Sequence, residues 1–113
     1  MQIIDKAVFE ELQSTVGADF VTELVATFAE EAAPLLADLR AARQTADADH
    51  FRRAAHTLKS NGATFGATEL EALARTLERA GLAADPAADE AAIAALQAAL
   101  NRAVMALQEL AHG

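Results

Sequence analysis

The apolar residues of this chain recur every three or four positions over most of its length. The clearest run lies near the C-terminal end and consists of Ile93, Leu96, Leu100, Val104, Leu107 and Leu110. This is the period of an α-helix with one buried face. Alanine, the best helix former, is abundant, whereas the β-branched and aromatic residues that favour strands are few. The sequence therefore predicts an all-α protein.

Glycine, proline and short polar segments divide this pattern into five helices. A short first helix is predicted from the cap Asp5 to about Thr15, ended by Gly17. The later helices are predicted at about residues 18–44, 48–65, 68–80 and from 86 onward. Thr68 and Glu71 are predicted to form a T-x-x-E capping box at the start of the fourth helix. Four long helices with short loops predict an antiparallel four-helix bundle, and we expect residues 1–113 to form one domain with the first helix across one end.

The second helix contains a proline in its interior. Pro34 lacks an N–H and clashes with the preceding turn, so it splits or kinks a helix. We expect a kink, because the apolar spacing continues across Pro34. The predicted buried stripe of this helix is Phe20, Leu24, Phe28, Leu35 and Leu39.

Charge and composition exclude several classes of function. The formal net charge of -8 argues against nucleic acid, whose phosphates require a basic surface. The chain has no cysteine, and its three scattered histidines form no metal-binding pattern. The N-terminal residues lack the pattern of a signal peptide, and no apolar run approaches the roughly 18 residues that span a bilayer. We expect a soluble cytoplasmic monomer that binds no membrane.

The third helix places one histidine away from its apolar face. At about 100° per residue, its predicted buried face lies within about 60° of Phe51. That face comprises Phe51, Ala54, Ala55, Leu58, Gly62 and Phe65. His56 lies at about 140° from Phe51, so we predict that its ring is exposed. Its predicted neighbours on the exposed face are Arg52, Arg53, Lys59, Ser60 and Ala63.

Three interpretations of His56 follow from its position. A histidine within an apolar helix is commonly a hydrogen-bonded core residue, but the helical wheel argues against this. An ordinary solvated surface histidine remains possible on position alone. The third interpretation is a nucleophile that forms a phosphohistidine, because Lys59, one turn away, would favour the charge of a phosphoryl group. No Walker A or glycine-rich nucleotide loop is present, so we expect no phosphohistidine to form from ATP by this chain alone.

Residues 55–60, AHTLKS, followed by Phe65-Gly66, resemble the signature of histidine-containing phosphotransfer (HPt) domains. The resemblance extends to residues 5–12, to the helix with Phe20 and Phe28, and to the APLL segment at 33–36. It implies a four-helix bundle that exchanges a phosphoryl group with aspartates of response-regulator receiver domains in two-component phosphorelays. A hybrid sensor histidine kinase is a further partner that the resemblance implies. The protein would then be a phosphocarrier and not an enzyme.

The resemblance also implies roles for individual residues. His56 is the expected phosphoacceptor and Lys59 the expected contact of the phosphoryl group, with Ser60, Arg52 and Arg53 accessory to them. Receivers dock on apolar residues near the histidine, for which the candidates are Phe9, Leu12, Val16 and Ala63. The first three could equally cap the bundle core. No cofactor is expected, since Mg²⁺ belongs to the receiver partner in this family.

Two alternatives belong to other classes of function. A helical bundle could bind and sequester receivers without accepting phosphate, although His56 and Lys59 count against this. The dimerisation segment of a histidine kinase would place an acidic residue directly after the histidine, whereas Thr57 follows it here. The acids Glu69, Glu71 and Glu78 are interpreted as solvated helix faces.

Overall fold

Five helices account for most of residues 3–112, the part of the chain that the computed structural model describes. They are α1 (Lys6–Val16), α2 (Ala18–Gln44), α3 (Ala48–Phe65), α4 (Thr68–Ala80) and α5 (Pro86–His112). Residues 3–112 contain no strand, so the prediction of an all-α protein is confirmed. None of the described helices has the length and hydropathy needed to cross a membrane.

Aspartates cap three of the helices, but the predicted capping box is wrong. Asp5 accepts the amide of Ala7 at α1, Asp47 that of His50 at α3, and Asp85 that of Ala87 at α5. Thr68 is instead the first helical residue of α4, and the N-cap position is held by Ala67, which makes no side-chain cap. The Glu71 carboxylate pairs with Arg75 one turn later. The prediction was wrong because a capping box requires the threonine at the N-cap, the residue before the first helical residue.

Helix α2 continues through Pro34 without a break, so it is not split. One member of its predicted stripe is wrong: the Phe20 side chain is 48% exposed, and Val21 is buried in its place. Phe28 stacks on Phe65, the last residue of α3, with ring centroids 5.2 Å apart. Phe20 precedes Phe28 by two turns and therefore extends past the end of α3.

The helices pack around one core. Helix α2 contacts α3 and α5, α4 contacts the same two helices, and α1 contacts α2 and α3. The largest fully buried side chains are Phe51, Leu39, Leu58, Leu70, Ile93, Leu96, Leu100, Leu107 and Val21. Every long helix contributes at least one of them, so each is held to the others by apolar burial, the main stabilising contribution to folding.

A tight turn joins α3 to α4 and fixes their relative position. Gly66 ends α3 in the left-handed conformation, with φ of 75°. Its carbonyl accepts the Asp5 amide at 2.8 Å, and a Cβ on Gly66 would lie 2.8 Å from the Asp5 carbonyl oxygen. A side chain therefore has no room here, and the segment before α1 is tied to this turn.

Candidate functional site

The buried and exposed faces of α3 agree with the helical wheel. Its buried residues are Phe51, Ala54, Ala55, Leu58, Gly62 and Phe65. The His56 side chain is 58% exposed, and Ser60 and Ala63 also face solvent. The apolar face is held by the core, so the opposite face must present the imidazole outward.

The His56 ring is held by a carboxylate from the neighbouring helix. Nδ1 of His56 lies 2.5 Å from Oε2 of Glu78 on α4. The other oxygen of the same carboxylate, Oε1, accepts Nζ of Lys59 at 2.6 Å. Within residues 3–112 no hydrogen bond involves Nε2 of His56. One carboxylate therefore links both residues that the signature singles out and leaves Nε2 without a protein partner there.

Glu78 lies in a partly enclosed, positively charged position. Its side chain is 19% exposed, less than that of either residue it contacts. The hydrogen bond from Lys59 lowers the pKa of Glu78 below its ordinary value, and His56 adds to this, while partial loss of solvent opposes it. The carboxylate is therefore ionised at neutral pH and acts only as a hydrogen-bond acceptor.

The interpretation of Glu78 as part of a solvated helix face was wrong. Its partners, His56 and Lys59, lie on α3, so the residue spacing within α4 does not indicate these contacts. The signal lies in the register of the α3–α4 hairpin. Gly62 lies against Glu71, and two turns away along each antiparallel helix His56 meets Glu78. A small residue at 62 followed by the Gly66 turn could have predicted this pairing.

A shallow depression of about 650 Å³ adjoins the ring. It is lined by Asp49, Arg52, Arg53, His56, Thr57 and Glu78. The Arg52 guanidinium lies beside Gly81, the C-cap of α4, where the helix dipole favours a cation. The structure thus brings the predicted accessory residues Arg52 and Arg53 to the depression that His56 borders.

The predicted docking residues do not share one environment. Phe9 is 3% exposed and belongs to the core, so the expectation that it meets a partner is wrong. Leu12 and Val16 are half-buried and pack against the core, and Ala63 is exposed. The sequence placed Phe20 in the core, yet it is an exposed aromatic residue. The buried stripe of α2 runs through Val21, Val25 and Phe28, and Phe20 lies beside it.

Comparison with known proteins agrees with this geometry. Residues 23–109 match the family model of the Hpt domain. The chain is 31% identical over 111 residues to Sensor protein TorS of Escherichia coli (strain K12), covering 98% of this chain and 11% of that protein's length. It is also similar to the crystal structure of histidine-containing phosphotransfer protein B (HptB) from Pseudomonas aeruginosa PAO1. The TM-score is 0.70 at 25% identity, covering 97% of this chain and 91% of that one.

Proposed function

Since the chain belongs to the Hpt domain family, we propose that His56 accepts a phosphoryl group from an aspartate of one receiver domain and donates it to another. The observation that carries this proposal is the exposed His56 ring, bonded through Nδ1 and open at Nε2. A neutral imidazole nitrogen with a lone pair is a nucleophile suited to group transfer.

The proposed step moves one phosphoryl group between two proteins. The Nε2 lone pair attacks the phosphorus of an aspartyl phosphate, forming a P–N bond. The bond from phosphorus to the carboxyl oxygen breaks, and the receiver regains its carboxylate. The reverse attack, by a carboxylate on phosphohistidine, returns the group. Because the ammonium of Lys59 has three donors, it could contact the phosphoryl oxygens while it stays bonded to Glu78.

The partners that we propose are receiver domains, alone or within a hybrid sensor kinase. Their aspartates would hold Mg²⁺, so this chain would need no metal of its own. We also propose that it has no kinase activity of its own, because its sequence contains no nucleotide-binding loop. Arg52 and Arg53 would then serve the approach of an acidic receiver site to the depression beside His56.

We infer that the scaffold is an antiparallel four-helix bundle of α2 to α5, with α1 across one end. Contacts between neighbouring helices support this inference. On α2 and α3, Phe28 meets Phe65 whereas Asp38 approaches His50. On α2 and α5, Arg43 meets Asp89 whereas Arg40 bonds Gln97. In each pair of helices, the residue number of the contact increases along one helix as it decreases along the other. Antiparallel neighbours require this relationship.

The proposed function is tested by phosphotransfer from a receiver domain that carries a labelled aspartyl phosphate with Mg²⁺. The wild-type chain is expected to gain label, and His56→Gln is expected to gain none while its thermal unfolding stays close to wild type. His50→Gln is the matched control, since it removes another histidine of α3 and should leave transfer intact. ATP alone should label neither protein.

Two results would contradict the proposal. Label retained by folded His56→Gln would mean that another residue accepts the phosphoryl group. Stable binding of the receiver without any transfer to the wild type would favour a module that sequesters receivers.

A further inference from the structure

Three cations lie on α3 within about one turn of His56, and two of them are directed towards α4. The Lys59 ammonium donates to Glu78 at 2.6 Å. A terminal nitrogen of Arg52 lies 3.6 Å from the point that a Cβ on Gly81, the C-cap of α4, would occupy. Both side chains therefore lie on the side of the ring from which the Glu78 carboxylate approaches Nδ1.

The third cation is Arg53, whose side chain is exposed one turn before His56. Its Nε donates to the carbonyl of Asp49, one turn earlier, at 3.4 Å. Among residues 3–112, neither terminal nitrogen of Arg53 takes part in a hydrogen bond or an ion pair. The side chain lines two depressions, the one beside His56 and a second of about 250 Å³ between α2 and α3. The guanidinium can therefore donate to an added anion while its terminal nitrogens give up no contact.

Helical geometry places Arg53 on the side of the ring that Nε2 faces. At about 100° per residue, Lys59 lies about 60° to one side of His56 and Arg53 about 60° to the other. Glu78 bonds Nδ1 from the Lys59 side. The two nitrogens of an imidazole point away from each other, so Nε2 is directed towards the side of α3 that bears Arg53.

We propose that Arg53 is a further phosphoryl-binding residue, whose guanidinium contacts the oxygens of a phosphoryl group on Nε2 of His56 from the side opposite Lys59. The proposal deepens, and rests on, the assignment of His56 as phosphoacceptor. A guanidinium suits this contact because it is planar and presents a fork of N–H donors to two oxygens at once. The contact would stabilise the phosphorylated chain after the receiver has left.

Two other roles for Arg53 make different predictions. Asp49 lines the depression beside His56 and Asp38 lines the second one, so an ordinary surface pairing with either acid is the first alternative. Such a pairing is indifferent to phosphorylation. The second alternative is a contact with the docked receiver only. That contact is absent from the separated proteins, so it changes the forward and reverse transfer rates by the same factor and leaves the equilibrium between them unchanged.

The equilibrium constant of transfer is therefore the property to measure. It is obtained from the forward and reverse rates between this chain and a receiver that carries a labelled aspartyl phosphate with Mg²⁺. Arg53→Gln is expected to lower the constant for phosphohistidine about three- to tenfold, the range for one exposed charge-assisted contact. Arg53→Lys, which keeps the charge and loses the fork, should recover part of this loss.

The matched control is Arg102→Gln, which removes an arginine on α5 that lines neither depression. It should leave the equilibrium constant unchanged. Thermal unfolding establishes that each variant is folded, as expected for changes at exposed positions.

A second measurement uses the wild-type chain alone. After phosphorylation and removal of the receiver, ¹⁵N NMR is expected to show a shifted Arg53 Nε–H signal whose exchange with water is slower, while the Arg102 signal stays in place. Either of two results would overturn the proposal: an Arg53 signal that phosphorylation leaves unchanged, or equal equilibrium constants for wild type and Arg53→Gln, even where both rates fall together. A wild-type chain that gains no label at all would instead remove the proposed function, and this proposal with it.

Discussion

Gly62 on α3 lies against the backbone of Glu71 on α4, so closely that a Cβ added to Gly62 would lie 2.9 Å from the Glu71 amide nitrogen. The absence of a side chain at this position lets the two helices approach. Their approach sets the register of the hairpin, and that register brings Glu78 to His56. The close packing at Gly62, two turns from the His56 ring, therefore determines which residue the ring contacts.

Gly62→Ala should destabilise the protein, although alanine is the better helix former. The propensity gain is about 1 kcal/mol, whereas overpacking against rigid backbone costs about 1–3 kcal/mol. We expect the net free energy of unfolding in urea to fall by up to about 2 kcal/mol. Ala63→Ser, an exposed change at the next residue, should alter it by less than about 0.5 kcal/mol. A Gly62→Ala variant as stable as wild type would show that α4 can move away at little cost.

Leu58→Ala should be among the more damaging single changes on α3. Leu58 is fully buried on the face opposite His56, so the substitution leaves a cavity in the core. The expected loss is about 2–5 kcal/mol in the free energy of unfolding. Met105→Ala on α5 is the comparison, because Met105 is exposed and its loss should cost less than about 0.5 kcal/mol. Equal effects at the two positions would contradict the described core.

Asp89→Asn should weaken the start of α5. The buried Asp89 accepts the Ala83 amide at 3.0 Å through Oδ2, and this oxygen also lies 3.2 Å from Nε of Arg43. Neutralising the carboxylate leaves the guanidinium without its counter-charge, and we expect a loss of about 1–3 kcal/mol. Glu90→Gln removes an exposed acid beside Arg40 and should have almost no effect on urea unfolding.

Stability should depend on Glu78 in acid. The pKa of Glu78 is lowered in the folded protein from its ordinary value of 4.5, first by Lys59 and then by His56. The unfolded state therefore binds the proton more readily. The contribution of Glu78 is complete above pH 4.5 and is lost as the pH falls through the folded-state pKa. Between about pH 6 and pH 3, the melting temperature of wild type should fall more steeply than that of Glu78→Gln. Parallel curves would mean that the carboxylate has no net interaction with the two bases.

Adding bulk at Ala63 should impair transfer without unfolding the protein. Ala63 is exposed seven residues after His56, hence on the same side of α3. Ala63→Arg is expected to slow phosphotransfer from a receiver at least about tenfold, through a clash in the docked complex. The same change at exposed Ala98 on α5 is the control and should leave the rate unchanged. Unimpaired transfer to Ala63→Arg would remove Ala63 from the docking surface.

Local patterns predicted much of the fold, because the determinants of a helix lie within it. The bounds of α2 and α3 and the outward position of His56 follow from period, caps and glycines. The prediction that Phe20 is buried was wrong because the buried stripe of α2 runs through Val21, Val25 and Phe28, and Phe20 lies beside it. The prediction that Phe9 contacts a partner was wrong because α1 directs its ring into the core. Glu78 was missed because its role arises only when two helices are set side by side.

The hydrogen bond from the Asp5 amide to the Gly66 carbonyl has a practical consequence for where the chain can be truncated. The family match starts at residue 23, yet Ile4 and Phe9 fill the core beside the hairpin that bears the imidazole. A fragment trimmed to the matched residues would lose these two side chains and expose apolar core surface beside the α3–α4 turn. Anyone grafting this unit into a chimeric signalling protein should keep the chain from residue 3 onward.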